Sequence, residues 1–146
     1  MCVKFEGRVT REGSHWAVYV PALDIYTQGK SRRDAMVMIK EAVVLILDKE
    51  GVDVAVSPLS GDRFIVHAKR PDDDRYLMAL MLKNQRAKYG LSISQVASRL
   101  AISKNAYAQY EQARAVPSIA KVEAFIHAMS NRAHVVLDVL DEAMAA

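Results

Sequence analysis

The chain has 146 residues, a formal net charge of +3, 51% hydrophobic residues and 25% charged residues. That is enough apolar material for one core or two small ones, and it excludes wholesale disorder. The longest apolar run, Ala42 to Leu47, is too short to span a bilayer; the start Met-Cys-Val-Lys-Phe-Glu-Gly-Arg has no apolar signal region, and the single Cys2 allows no internal disulfide, so a soluble, reducing, cytoplasmic setting with no membrane is expected.

The small net charge hides segregation. Residues 1–70 carry net +2, residues 71–74 net −3, residues 75–132 net +7 and residues 133–146 net −3. A basic segment between acidic ones suggests a footprint for a polyanion, and a solvated basic surface is the alternative.

The first thirty residues have strand character. Val3, Phe5 and Val9 alternate with Lys4, Arg8 and Thr10, the period-2 pattern of a half-buried strand. After the turn Glu12-Gly13-Ser14, His15 to Val20 forms a second strand with Trp16, Val18 and Val20 on one face, and Pro21 ends it. Ile25 to Gln28 is a short third strand, broken by Gly29. Ser31 then caps a helix, with Asp34 three residues on; Ala35, Met38, Ile39, Ala42, Val43, Ile46 and Leu47 form its apolar stripe, and Gly51 stops it. Residues 52–61, with Pro58 and Gly61, are expected to form a loop, and Arg63 to Ala68 a fourth strand. Arg70-Pro71-Asp72-Asp73-Asp74, a proline and then a charge run with no apolar anchor, is expected to be the boundary that divides the chain into domains 1–70 and 75–146.

Beyond the boundary the apolar period is helical. Ser92 caps a short helix whose Val96, Ala97 and Leu100 face inward; Ser103 caps a second helix, Lys104 to Gln112, with Ile102, Tyr107 and Tyr110 on its buried side. A third helix after Pro117 is expected to bury Ile119, Val122, Phe125, Ile126 and Met129. This leaves Lys104, Asn105, Ala108 and Gln109 outward. Lys, Asn and Gln pair with base edges in the major groove, and a helix held across a tight turn is how they enter it. An ordinary helical bundle with polar outer positions is the alternative.

The string Leu91-Ser92 … Val96-Ala97 … Leu100 … Ile102-Ser103 … Tyr110-Glu111 … Pro117-Ser118 resembles the phage-repressor (Xre/Cro-type) helix-turn-helix over about residues 76–130. The resemblance implies that Lys104, Asn105, Ala106 and Gln109 read bases and that Arg114 contacts a phosphate of double-stranded operator DNA. Arg99 is a further candidate phosphate contact. It also implies a buried ion pair between Arg86 and Glu111. Three positions depart from the pattern: Ile93 replaces a phosphate-contacting glutamine, Ala113 a loop glycine, and Gln85 an apolar residue.

Residues 2–68, in the order β-β-β-α-β, resemble the HicB antitoxin N-terminal domain, a partial RNase H fold. The resemblance lies in Val20-Pro21-Ala22-Leu23-Asp24 … Thr27-Gln28-Gly29-Lys30-Ser31 … Asp34-Ala35 … Lys40-Glu41-Ala42. The expected fold class is thus α+β, a small sheet domain followed by an all-helical domain. The resemblance implies an antitoxin that binds a HicA-like mRNA-cleaving toxin and represses its own operon. Asp24 and Tyr26 flank an edge-like third strand where a partner would dock, although a plain turn explains them equally well. A stand-alone regulator without a toxin is one alternative. A metal-dependent nuclease is another; it needs carboxylates converging on paired metals, whereas Glu6 shares a face with Lys4 and Arg8, Asp34 suits the cap, and Glu41 lies on the polar side of the helix.

His15, His67, His127 and His134 are scattered without ligand spacing. No catalytic residue, metal or cofactor is expected. Trp16 is expected in the core. Because one helix-turn-helix covers a half-site, a homodimer or higher even oligomer is expected. The tail stripe Val135, Val136, Val139, Leu140 and Met144 is a candidate seam, or packs on its own domain.

Overall fold

The computed structural model describes residues 3–141; Cys2 and Met144 lie outside them. The chain divides into two compact units, one containing residues up to Asp74 with residues 139–141 of the tail, the other residues 75–138.

The first unit is α+β. Strands β1 (Phe5–Glu12), β2 (His15–Val20) and β3 (Ile25–Gly29) lead into helix α1 (Arg32–Leu47), followed by β4 (Val54–Pro58) and β5 (Arg63–Ala68). They form one antiparallel sheet in the order β3-β2-β1-β5-β4. The alternation read from sequence sets the register: Phe5, Val9, Val18, Val20, Ile25, Phe64 and Val66 are buried, while Glu6, Arg8 and Thr10 are exposed. The buried side of α1 is Ala35, Ile39 and Val43. Gly7 and Gly29 are needed for close approach rather than for an unusual backbone. A Cβ on Gly7 would strike the Phe64 ring, and one on Gly29 the backbone of Ala35 at the start of α1.

β4 occupies the segment expected to be a loop. Val54-Ala55-Val56 has strand chemistry, and Pro58 is tolerated because β4 is an edge strand and Pro58 ends it. Met38 and Ile46, expected in the buried stripe, are exposed, and Trp16, expected in the core, is half-buried. The Asp72–Asp74 run is ordered, not an open charge run. Pro71–Asp73 forms a 3-10 turn, and Asp73 and Asp74 are buried. Arg70 Nε donates to Asp73 Oδ2 at 2.8 Å, and the Val3 amide donates to Asp74 Oδ2 at 2.7 Å.

The second unit is helical: α2 (Asp74–Lys88, beginning at the last residue of the first unit), α3 (Ile93–Arg99), α4 (Lys104–Glu111) and α5 (Ile119–Met129). Its core includes Val96 and Ala97 of α3, Tyr107 and Ala108 of α4, and Val122, Phe125, Ile126 and Met129 of α5. Phe125 meets Tyr107 edge-on at 5.4 Å between centroids and Tyr110 at 4.9 Å. Ile102 and Ile119, expected inside, are 38% and 50% exposed. The tail through Asp141 has neither helix nor strand, so its apolar residues form no helical stripe; Val136 and Val139 are 87% and 96% exposed.

Among the described residues, no helix is long and apolar enough to cross a membrane.

Candidate nucleic-acid interface

Local chemistry defines each helix boundary in the second unit. Ser92 and Gln95 form a reciprocal capping box at the start of α3: the Gln95 amide donates to Ser92 Oγ at 3.1 Å and the Ser92 amide to Gln95 Oε1 at 2.8 Å. Ser103 and Ser118 cap α4 and α5, accepting from Ala106 N at 3.1 Å and Lys121 N at 3.2 Å. Three helix ends close in the same way. Leu91 N donates to Arg86 O with Gly90 N to Ala87 O, Ile102 N to Ala97 O with Ala101 N to Ser98 O, and Arg114 N to Gln109 O with Ala113 N to Tyr110 O. This paired closure places the residue after the cap in the left-handed region, where glycine is favoured. Gly90 suits it, whereas Ala101 (φ 56°) and Ala113 (φ 58°) occupy it with a Cβ. Only two residues, Ala101 and Ile102, therefore separate the Leu100 cap of α3 from the Ser103 cap of α4.

The turn aims α4 outward by its other face. Tyr107, Ala108 and Glu111 are buried; Lys104, Asn105 and Ala106 are exposed, and Gln109 is half-buried on the same side as Asn105 and Ala106. Ala108, expected outward, instead packs inside, because it lies one residue from Tyr107 and three from Glu111 on the inner arc. Gln112, three residues past Gln109, is exposed beside that polar face. Its place as the C-cap of α4 hides it, and its i+3 spacing from Gln109 is the signal that marks it.

Arg114 is exposed in the loop after α4. Arg99 is exposed too, but its Nη1 donates to the Ala128 carbonyl near the end of α5 at 2.9 Å, so its guanidinium braces α3 against α5. Lys121 Nζ donates to the Tyr110 hydroxyl at 3.0 Å and lies 5.6 Å from that ring centroid.

Arg86 and Glu111 hold α2 to α4. Arg86 Nε lies 2.8 Å from Glu111 Oε2, Nη2 lies 2.9 Å from Oε1, and Nη1 donates to the Leu91 carbonyl at 2.8 Å. The Glu111 side chain is only 3% exposed. Its hydrogen bonds hold the Arg86 guanidinium pKa above the ordinary arginine value, against the opposing effect of burial. Burial, reinforced by Glu111, pushes the Tyr107 phenol well above the ordinary tyrosine value. The Arg86–Glu111 pair thus ties α2 to the end of α4, beside the buried Tyr107 ring.

In the first unit, Asp24 adopts φ 52° and its Oδ1 accepts from the Tyr19 hydroxyl at 3.2 Å. Tyr26 faces Tyr19 across β2 and β3, edge-on at 5.9 Å, and is 74% exposed. Tyr19 and Tyr26, but not Asp24, line a shallow concavity of about 570 Å³ that also includes Arg8, Thr10, His15 and Gln28. Glu6 pairs with Arg63 at 2.7 Å and lies 3.4 Å from Arg8, and Asp34 Oδ2 accepts from Lys30 N at 2.8 Å. Among the described residues no three His, Cys, Asp or Glu side chains gather as metal ligands.

No curated protein matches the chain. Residues 77–129 match a family model described as a helix-turn-helix domain. That span contains most of α2 and all of α3, α4 and α5, and it makes the second unit a helix-turn-helix domain and supports reading the chain as a DNA-binding regulator.

Proposed function

We propose that the chain is an antitoxin and autorepressor, with residues 75–146 serving DNA and residues 1–70 serving a protein partner. In the major groove, Lys104, Asn105, Ala106 and Gln109 read base edges, Arg114 contacts a phosphate, and Arg99 adds charge nearby while bracing α5. The observation that carries the DNA half is the outward Asn105–Ala106–Gln109 face on a helix whose opposite face is fixed by Tyr107 and the Arg86–Glu111 pair. Two copies act together on two half-sites, since one such helix covers too few bases for useful specificity.

The protein half rests on the resemblance of residues 2–68 to HicB antitoxins and on the edge position of β3. Asp24 and Tyr26 dock a small HicA-like mRNA-cleaving toxin and silence it. The chain itself catalyses nothing and needs no cofactor.

Two experiments on the full chain test the two halves. Selection from a random duplex pool should enrich a two-fold symmetric sequence, and the chain should co-purify with the product of the adjacent short reading frame. A pool that yields no preferred sequence contradicts the regulator. Failure to hold the neighbouring product contradicts the antitoxin and leaves the regulator standing.

A further inference from the structure

A recognition helix in the major groove runs between two phosphate strands, because the groove is about 12 Å wide and a helix with its side chains fills it. Both edges of the outward face of α4 then come close to phosphates. Asn105 and Gln112 share one edge; Ala106 and Tyr110, four residues apart, share the other. At this second edge the exposed Lys121 of α5 donates from Nζ to the Tyr110 hydroxyl at 3.0 Å. We infer, given the DNA-binding function proposed above, that Lys121 is a further phosphate contact on that edge and that Tyr110 is the residue that positions it.

The charge of Lys121 is unmatched within the chain. α4 and α5 carry the carboxylates of Glu111 and Glu123, and both are engaged elsewhere, Glu111 by Arg86 and Glu123 by the Val135 amide and His134. Among the described residues no carboxylate pairs with Lys121, and a neutral hydroxyl accepts a hydrogen bond from the ammonium without balancing its charge. Lys121 also stands in the first turn of α5, where the Ser118 hydroxyl accepts from its backbone amide at 3.2 Å. The positive end of the helix dipole disfavours a cation there, and no acidic residue shares that turn. An anion at Nζ relieves that repulsion.

The ammonium is also held in place. The Tyr110 ring packs on Phe125 at 4.9 Å between centroids, and Nζ lies 5.6 Å from the Tyr110 ring centroid. A lysine already ordered in this way has less rotamer freedom to lose when it meets a phosphate.

Affinities of the full chain for the selected duplex and for a scrambled one, across a salt series, test the contact. Lys121→Gln should weaken both duplexes alike, roughly fivefold to tenfold near ~0.1 M salt, and lower the salt slope by about one unit. Lys121→Arg should keep the wild-type slope. Tyr110→Phe keeps the ring and removes the hydroxyl, so it should weaken both duplexes about twofold to fivefold with the slope unchanged. Unchanged circular dichroism shows that the variants fold. Lys121→Gln with the wild-type slope overturns the contact and leaves the Tyr110 bond as a brace between α4 and α5. Lys121→Gln that weakens only the selected duplex overturns it as well, since that is the mark of base reading. Tyr110→Phe with wild-type affinity overturns the positioning role. Each of these results leaves the DNA-binding function standing, whereas a wild type that binds neither duplex overturns that function and the contact with it.

Discussion

Removing Arg86 while keeping Glu111 should be far more damaging than removing both. In Arg86→Met the carboxylate loses the 2.8 and 2.9 Å bonds from Nε and Nη2, yet stays 97% enclosed by the fold, since its side chain is 3% exposed. An uncompensated buried charge of that kind costs about 3–5 kcal/mol. Glu111→Leu is milder, about 1–3 kcal/mol, because the Arg86 side chain is 19% exposed and can reach water. In the double variant no charge remains; only the Leu91 carbonyl loses its donor, so the loss should be about 1 kcal/mol and the pair should recover at least ~2 kcal/mol relative to the two single losses. Urea unfolding followed by far-ultraviolet circular dichroism, with hydrogen exchange over residues 77–129, reads these values. Tryptophan fluorescence does not, because Trp16 belongs to the first unit. Single losses below about 1 kcal/mol, or a double variant as unstable as their sum, would refute the reasoning.

Three other outcomes follow from the geometry. Ala101→Gly should stabilise the chain by about 0.5–1 kcal/mol, since a left-handed alanine costs ~1–2 kcal/mol and glycine returns part of that as chain entropy; a lower melting temperature counts against it. Gly29→Ala should cost about 1–3 kcal/mol, because its Cβ would collide with the Ala35 backbone at the start of α1, and a neutral effect on melting would show that the helix yields freely. The third concerns the Glu123 carboxylate, which accepts from Val135 N at 2.6 Å and lies 3.2 Å from His134 Nδ1. Those bonds, the backbone one first, hold its pKa below 4.5. A depressed carboxylate keeps its contribution above the unfolded value and loses it as pH falls through the folded one. The Val135 amide resonance should therefore move with a midpoint below pH 4.5, and a midpoint at or above that value is inconsistent with the bond.

Much of the fold was legible where a residue's local chemistry and its long-range packing agree. Ser31, Ser92 and Ser103 each cap the helix expected of them, and the alternation of Phe5 to Thr10 and Trp16 to Val20 gives strands that pair as antiparallel neighbours. Legibility failed where a local signal was read without its neighbours. Pro58 suggested a loop, but an edge strand tolerates a terminal proline. The chain does divide at Asp74, but the Asp72–Asp74 run is not a bare charge run, since Arg70 bonds Asp73 and the Val3 amide bonds Asp74 Oδ2. The stripe assigned to α1 ran past its buried arc: Ala35, Ile39 and Val43 go in, Met38 lies at the edge of the arc and stays out, and Ile46, on the inner side three residues after Val43, is in the last turn and 48% exposed. On α4, Ala108 shares the inner arc with Tyr107 and Glu111, whereas Gln112 falls on the outer arc of Asn105 and Gln109. Through Asp141 the tail's helical spacing leads to no helix, since spacing alone is a weak signal without caps or a surface to bury against.

In the proposed complex α4 reads bases while Arg114 holds the backbone. Once a preferred duplex is known, the direct measurement is the affinity of wild type, Gln109→Ala and Arg114→Ala for that duplex and for a scrambled one across a salt series. Gln109→Ala should lose about 1–3 kcal/mol of discrimination at one base position and keep the wild-type salt slope. Arg114→Ala should weaken both duplexes alike and flatten the slope by about one unit, the signature of one lost phosphate contact. If Gln109→Ala weakens specific and scrambled duplexes equally, the outward face of α4 does not read bases.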